Sequence, residues 1–293
     1  MAAVMKTLAN PYWSAMQAGV EAGATSVGSK IVVQAAPGES DISAQLDVCQ
    51  ALLARGPQTL LVAAITPVNL IPCIKDANAK GVPVIDLDNQ LDPAVNKKEG
   101  IQIAFAIGSD NYAAGAQAAE YLTTRSKSGK VLVMEGIAGN PAGTARTQGF
   151  VDRLKAIAPA FTVVARLPGD WDRLKAANIT NDVLQANPAL SAVYCANDTM
   201  ALGSAEALKT SGQKDHVVVI GTDGNSDAVK AIRAGTLDAS VAQLPFLVGK
   251  EAVEKAAKAG ARSDGQQAIK VPTLVLTKAV LDENKDPLLA NLR

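Results

Sequence analysis

The sequence predicts an α/β protein made of two doubly wound parallel-sheet lobes, and three observations lead there. Short apolar runs rich in β-branched residues alternate with helix-like stretches along the whole 293-residue chain. Most of these runs are continuously apolar rather than alternating, which marks strands covered on both faces. At about 150 residues per domain the length corresponds to two domains. The hydrophobic share of 48% excludes a disordered or fibrous chain.

The strand candidates are residues 3–7, 30–34, 59–65, 82–88, 101–107, 130–135, 161–167, 192–196, 217–222, 239–243 and 271–277. Between them the pattern is helical. In 41–57, Ile42, Leu46, Cys49 and Leu53 step by four, three and four, and Gly56-Pro57 ends the stripe. Cys49 on that stripe reads as a core thiol. The joints Asn10-Pro11, Thr66-Pro67, Ser109-Asp110-Asn111 and Asp198-Thr199 set capping residues at helix starts, with Asp198 expected to cap rather than to bind. Repeated strand–helix–strand units imply parallel sheets with right-handed crossovers. About eleven strands are too many for one open sheet of ordinary size, so they divide into two sheets. No low-complexity linker lies at mid-chain, and the domains are expected to be joined by direct crossovers.

Composition removes several classes of function. Lys+Arg and Asp+Glu number 28 each, so no global field draws the chain to nucleic acid or an acidic membrane. No apolar run approaches the roughly 18–20 residues that span a bilayer. Cys49, Cys73 and Cys195 form no C-x-x-C and no Cys/His pair at metal-ligand spacing, which excludes a disulfide framework and a zinc module and leaves the redox compartment open. The one histidine, His216, is expected to be exposed at a strand start. The first strand–helix turn, KTLANPYW, has no glycine, hence no dinucleotide fingerprint. GIAGNPAGTA is Gly-rich but lacks the Lys-Ser/Thr of a P-loop. No G-x-S-x-G elbow or H-E-x-x-H occurs. Asp86, Asp88 and Asp92 have calcium-like spacing without the turn glycine or terminal Glu of an EF-hand loop. No catalytic residue, metal or cofactor is therefore expected.

In open α/β sheets, ligands bind beyond the carboxyl ends of the strands. Those positions hold Lys6, Asn10, Tyr12 and Trp13 after the first strand and Asp88-Asn89 after the fourth. Arg146 follows the sixth, Trp171 the seventh, Asn197 the eighth, Asp223 the ninth and Gln243 the tenth. Asp, Arg, Asn and Gln are fork-shaped partners that can serve two neighbouring hydroxyls at once. Aromatic faces cover the C–H face of a sugar ring. The chain has only ten aromatic residues, and both tryptophans with one tyrosine fall at these turns rather than in strands. Each position also has a bland reading, Asn10 as a cap, Asp88 and Asp223 as turn formers, Lys6 as a solvated strand end, the tryptophans as lids over the core edge. Their shared placement argues for a polyhydroxylated ligand.

At these residues the chain resembles the periplasmic sugar-binding proteins of ABC importers, in the ribose- and allose-binding group. The motifs are KTLANPYW, VIDLD, AGTARTQGF, GDWDRLKA, YCANDTMALG, VVVIGTDG and SVAQLP, in one order over nearly the whole chain. The resemblance implies the type I periplasmic-binding-protein fold, two lobes joined by three crossovers: 1–108 with 245–271, and 109–244 with 272–293. It implies one sugar held between lobes that close by a hinge, the closed form docking on a membrane permease. Lys6, Asn10, Tyr12, Trp13, Asp88 and Asn89 would come from the first lobe. Arg146, Trp171, Asn197 and Asp223 would come from the second, with Gln243 at the hinge. Ribose binders usually have a small hydroxyl residue at the position of Lys6, Phe pairs at Tyr12-Trp13 and Arg at Asn89. Those departures favour a six-carbon ligand, an allose-like aldohexose ahead of a hexitol. The resemblance further implies a periplasmic monomer, its leader removed although none is visible, with the permease and in some cases a chemoreceptor as partners and no nucleic acid. The competing readings are the effector core of a sugar-responsive transcription repressor lacking its DNA-binding headpiece, and a sugar-converting enzyme.

Overall fold

The computed structural model describes residues 1–88, 91–259 and 267–292. The chain divides into two units, one of Met1–Ser109 with Pro245–Val271 and one of Asp110–Leu244 with Pro272–Leu292. Unit 1 opens with β1 (Ala2–Met5), α1 (Pro11–Ser26), β2 (Val32–Ala35), α2 (Ile42–Leu53), β3 (Leu60–Val62), α3 (Ile71–Ala79), β4 (Val84–Leu87), α4 (Pro93–Glu99) and β5 (Phe105–Ser109). Unit 2 follows with α5 (Asn111–Arg125), β6 (Gly129–Glu135), α6 (Pro141–Ile157), β7 (Phe161–Pro168), α7 (Arg173–Ala186), β8 (Leu190–Cys195), α8 (Asp198–Thr210), β9 (Val218–Asp223), α9 (Ser226–Arg233) and β10 (Ala239–Ala242). The chain returns to unit 1 for α10 (Pro245–Ala259) and β11 (Gln267–Val271), then adds β12 (Leu274–Leu276) and α11 (Lys278–Glu283) to unit 2.

Each unit holds one six-stranded sheet, ordered β11-β5-β4-β3-β1-β2 in unit 1 and β12-β10-β9-β8-β6-β7 in unit 2. Pairing is parallel throughout unit 1. In unit 2 it is parallel except at the edge, where β12 runs antiparallel to β10. The strand order turns back between β1 and β3 in one sheet and between β6 and β8 in the other. Those two switch points are where an open α/β sheet leaves a crevice for a ligand.

The expected strand 271–277 is two strands. Val271 ends β11 against Ser109 of unit 1, while Leu274 begins β12 against Ala242 of unit 2. Pro272 separates them, since proline has no N–H to give to a ladder. The polar start of β11 (Gln267, Lys270) is what hid it in the sequence.

Helix packing depends on close approach. In unit 1, α1 and α10 cover one sheet face, burying Met16, Val20, Val248 and Val253 with Ile85, Leu87 and Phe105. A Cβ on Gly19 would collide with the Phe246 carbonyl of α10. The other face buries Cys49, Leu52, Leu60, Leu70 and Ile74 beneath α2 and α3. Unit 2 repeats the scheme with α5 and α6, where Gly149 meets the Tyr112 carbonyl and Phe150 stacks on Tyr194 at 4.3 Å.

The core-thiol reading of Cys49 is corrected. Cys49 of α2 and Cys73 of α3 are joined in a disulfide, their Cα atoms 6.2 Å apart. The stripe that buries Cys49 faces α3, and the same burial brings the two sulfurs together. Cys195 is free and buried, and desolvation pushes its thiol up to about 12. His216 is exposed, in a 3₁₀ turn (Lys214–His216) just before β9. Among the described residues no helix is long and apolar enough to cross a membrane.

Candidate functional site

In unit 2 the strand-end residues converge at the β6/β8 switch point. Arg146, on the second turn of α6, is 4% exposed and is held at three points. Its Nε donates to Asn111 Oδ1 at 2.8 Å and its Nη1 to the Ala196 carbonyl at 2.7 Å, with Asp223 Oδ1 at 3.4 Å from the same nitrogen. Gln243, wholly buried after β10, donates from Nε2 to Asp223 Oδ1 at 2.6 Å. Asn197, also buried, caps α8, its Oδ1 accepting from the Met200 N–H at 2.9 Å. The expected cap Asp198 is therefore one residue off: it is the first residue of α8, and its carboxylate points into the unit. Arg146, Asp223 and Gln243 thus form one buried hydrogen-bonded group, with the buried Asn197 next in sequence to Ala196, whose carbonyl Arg146 holds, consistent with the rule that buried charges are paired and hydrogen-bonded.

Trp171 sits between β7 and α7 with its guanidinium neighbour Arg146 6.0 Å from the ring centroid. The Gly-rich turn that lacks P-loop chemistry has another use here. Cβ atoms at Gly136 and Gly143 would both strike the Trp171 ring, so these glycines make the seat for the indole.

In unit 1, Lys6 directly follows β1, is 3% exposed and places Nζ 5.2 Å from the Trp13 ring centroid. Tyr12 and Trp13 lie in the first turn of α1, edge to face at 4.9 Å. Tyr12 Oη donates to Asp88 Oδ1 at 2.6 Å, joining the end of β1 to the end of β4. Asn10 caps α1, accepting from the Tyr12 N–H at 3.0 Å. Asn89 lies outside the described residues.

Backbone conformation singles out the same places. Among the described residues, six non-glycine positions have positive φ, and Asp88 (68°), Trp171 (63°) and Asp223 (128°) are three of them. Such conformations cost of order 1–3 kcal/mol each and collect at functional sites.

Two polar residues escaped the sequence reading. Glu39, in the β2–α2 turn, accepts from Asn10 Nδ2 at 2.6 Å and from Trp13 Nε1 at 3.2 Å. It orients two of the candidate residues and adds a carboxylate to the set. Asn111 anchors Arg146 from the first residue of α5, where sequence showed only a helix start. Among the described residues no group of three or more His, Cys, Asp or Glu side chains could hold a metal.

Residues 1–263 match the family described as periplasmic binding protein domain. The chain is 38% identical over 250 residues to the D-allose-binding periplasmic protein of Escherichia coli, covering 85% of this chain and 80% of that one. It is 35% identical over 259 residues to the ribose import binding protein of the same organism, covering 88% and 83%. Among solved structures it is similar to an ABC transporter periplasmic solute binding protein from Actinobacillus succinogenes with bound D-allose. That likeness has a TM-score of 0.91 at 29% identity and covers 96% of this chain and 98% of the other. A solute binding protein from Agrobacterium vitis bound with α-D-tagatopyranose gives a TM-score of 0.88 at 29% identity, covering 99% and 97%.

Proposed function

The chain belongs to the periplasmic binding protein domain family, and on that footing we propose that it is the solute-binding protein of a carbohydrate ABC importer. It binds one monosaccharide and delivers it to a membrane permease. The observation that carries this reading is the buried Arg146–Asp223–Gln243 group with Asn197 at the switch point of the unit 2 sheet. Its polar atoms are fixed before any ligand arrives, and their forked geometry suits vicinal hydroxyls. In unit 1, Lys6, Asn10 and Asp88 offer the same chemistry and Trp13 a ring-stacking face; in unit 2, Trp171 offers another. Hydrogen bonds to charged groups contribute roughly 1.5–3 kcal/mol each. Several of them, less ordering costs, reach the roughly 8 kcal/mol of a micromolar complex.

The ligand is an allose-like aldohexose ahead of a hexitol. Lys6 supports this with a longer donor than ribose binders use, and the relatives with allose and tagatose bound support six carbons. The protein works in the periplasm, without turnover of its ligand, with the permease as its protein partner. The Cys49–Cys73 bridge supports that location, because structural disulfides persist in oxidising compartments.

Intrinsic tryptophan fluorescence titrated with D-allose, D-ribose, other aldohexoses, D-tagatose and the hexitols tests the proposal. We expect a saturable change with one or a few of these, and a loss of most affinity in Asp223→Ala with its fold intact by circular dichroism. A flat response across the panel overturns the sugar reading. Undiminished affinity in Asp223→Ala overturns the site.

A further inference from the structure

Asp223 carries its side chain from a backbone that an ordinary residue resists. Its φ of 128° is followed by Gly224 at 74° and then by Asn225, the cap of α9. Something must hold this turn, and two buried side chains do. Gly224 N–H donates to Ser240 Oγ at 3.0 Å, and Ser240 Oγ in turn donates to Asp198 Oδ1 at 2.6 Å. Asp198 Oδ2 accepts from the Asn225 N–H at 2.9 Å. Two successive amides of the turn are thus tied, one directly and one through a hydroxyl, to a single carboxylate. Asp198 and Ser240 are both 0% exposed, and both spend their hydrogen bonds on the backbone of the turn and on each other rather than on the Arg146–Asp223–Gln243 group. Gly221 lets the carboxylate in, for a Cβ there would collide with Asp198 Oδ1.

We propose that Asp198, relayed by Ser240, is a positioning residue that holds the Asp223–Asn225 turn and so aims the Asp223 carboxylate at the sugar. The inference rests on the sugar-binding reading of Asp223 given above. A buried carboxylate is a costly way to fasten a turn by fold stability alone. Its two oxygens accept from two donors, which Asn cannot match: an amide in its place would turn its NH2 either toward the Asn225 N–H, donor against donor, or toward Ser240, whose hydroxyl would lose its acceptor. The turn would then relax toward negative φ and swing the Asp223 side chain off its line. Arg146 and Gln243 would still be present, so binding weakens rather than vanishes.

The test compares Asp198→Asn, Ser240→Ala, Asp223→Asn and the Asp198→Asn/Asp223→Asn double variant, titrated with the sugar panel and melted in parallel. We expect Asp198→Asn to raise Kd about tenfold with no fall in melting temperature at pH 8, and Ser240→Ala to weaken binding in the same sense. In the Asp223→Asn background, Asp198→Asn should add less than a twofold further loss, because its effect passes through Asp223. Wild-type Kd in both Asp198→Asn and Ser240→Ala, with Asp223→Asn impaired, overturns the positioning role and leaves the sugar site standing. An equal loss from Asp198→Asn in both backgrounds also overturns it, because the effect would bypass Asp223. If Asp198→Asn does not fold, Ser240→Ala decides between these outcomes. Wild-type affinity in Asp223→Asn, or a wild-type protein that answers no sugar, overturns the underlying site and the proposal with it.

Discussion

A carboxylate with no access to water is the residue-scale oddity of unit 2. Desolvation pushes Asp198 up to about 7, against lowering by hydrogen bonds from Ser240 and the Asn225 and Gly224 amides, and by the Arg146 charge. The other titratable group bearing on it is the buried Cys195 thiol, which stays protonated. The sign of the linkage follows. Below about 4 the group is protonated in both folded and unfolded chains; between about 4 and 7 only the folded chain holds the proton, so its contribution to stability falls as pH rises. Above 7 the loss is complete and the slope vanishes. Asp198→Asn removes this term, so its stability relative to the wild type should be greater at pH 8 than at pH 5, by on the order of a few kcal/mol. Chemical denaturation of both proteins at the two pH values measures it, and a pH-independent difference would show that Asp198 titrates normally. Asp198 was read from the sequence as a cap because Asp is a good capping residue. The structure prefers Asn197 there, and only tertiary contacts with β10 reveal what the aspartate does. Glu39 was missed for a different reason: the turn after β2 holds Pro, Gly, Ser and Asp, and among turn formers one more acidic residue carries no distinguishing pattern.

Among the elements, α2 has the most varied work. Gln45, wholly buried, donates from Nε2 to the Met5 and Ala63 carbonyls at 3.0 and 2.8 Å. Its Oε1 accepts from Ile65 N–H and Asn69 Nδ2 at 2.9 and 2.8 Å. All four hydrogen-bonding sites of the amide are used to fasten the carboxyl ends of β1 and β3, one residue before Lys6. Four residues on, along the same helix face, Cys49 bolts α2 to α3. The bridge closes a loop of sequence separation 24. Loop-entropy arguments assign such a closure about 3 kcal/mol. The Cys49→Ala/Cys73→Ala protein should therefore melt several degrees lower, as differential scanning calorimetry would show, and an unchanged melting temperature would mean the bridge adds nothing to the native state. At this scale the sequence was most readable. Apolar runs located β1 to β10, most clearly the inner strands β3, β4, β8 and β9, which are buried along almost their whole length and leave little polar surface to blur the signal. It was least readable at β11, an edge strand of mixed polarity, and at the cysteine pair, since a residue on a buried stripe says nothing of which neighbour it meets.

At the scale of the whole molecule, the chain leaves unit 1 after Ser109, leaves unit 2 after Leu244 and crosses once more after Val271. Unit 1 is therefore completed by a segment far from its beginning in sequence, with α10 filling the groove of α1 and β11 forming the last strand beside β5. A chain ending at Leu244, carrying Trp171→Phe so that Trp13 alone reports, should show water-exposed emission and no cooperative transition from unit 1. Native emission from that fragment would mean that α10 is an accessory rather than part of the core. On a ribosome, this wiring fixes a timetable. The first strands emerge early, yet the sheet face that α1 covers waits for residues 245–259, and the unit 2 sheet gains its edge strand only at Leu274–Leu276, so neither unit is complete until most of the chain has been made. Contacts so distant in sequence also form slowly. The newborn polypeptide thus spends an interval with both units unfinished, a looser form that is more easily drawn through a narrow pore than the finished protein.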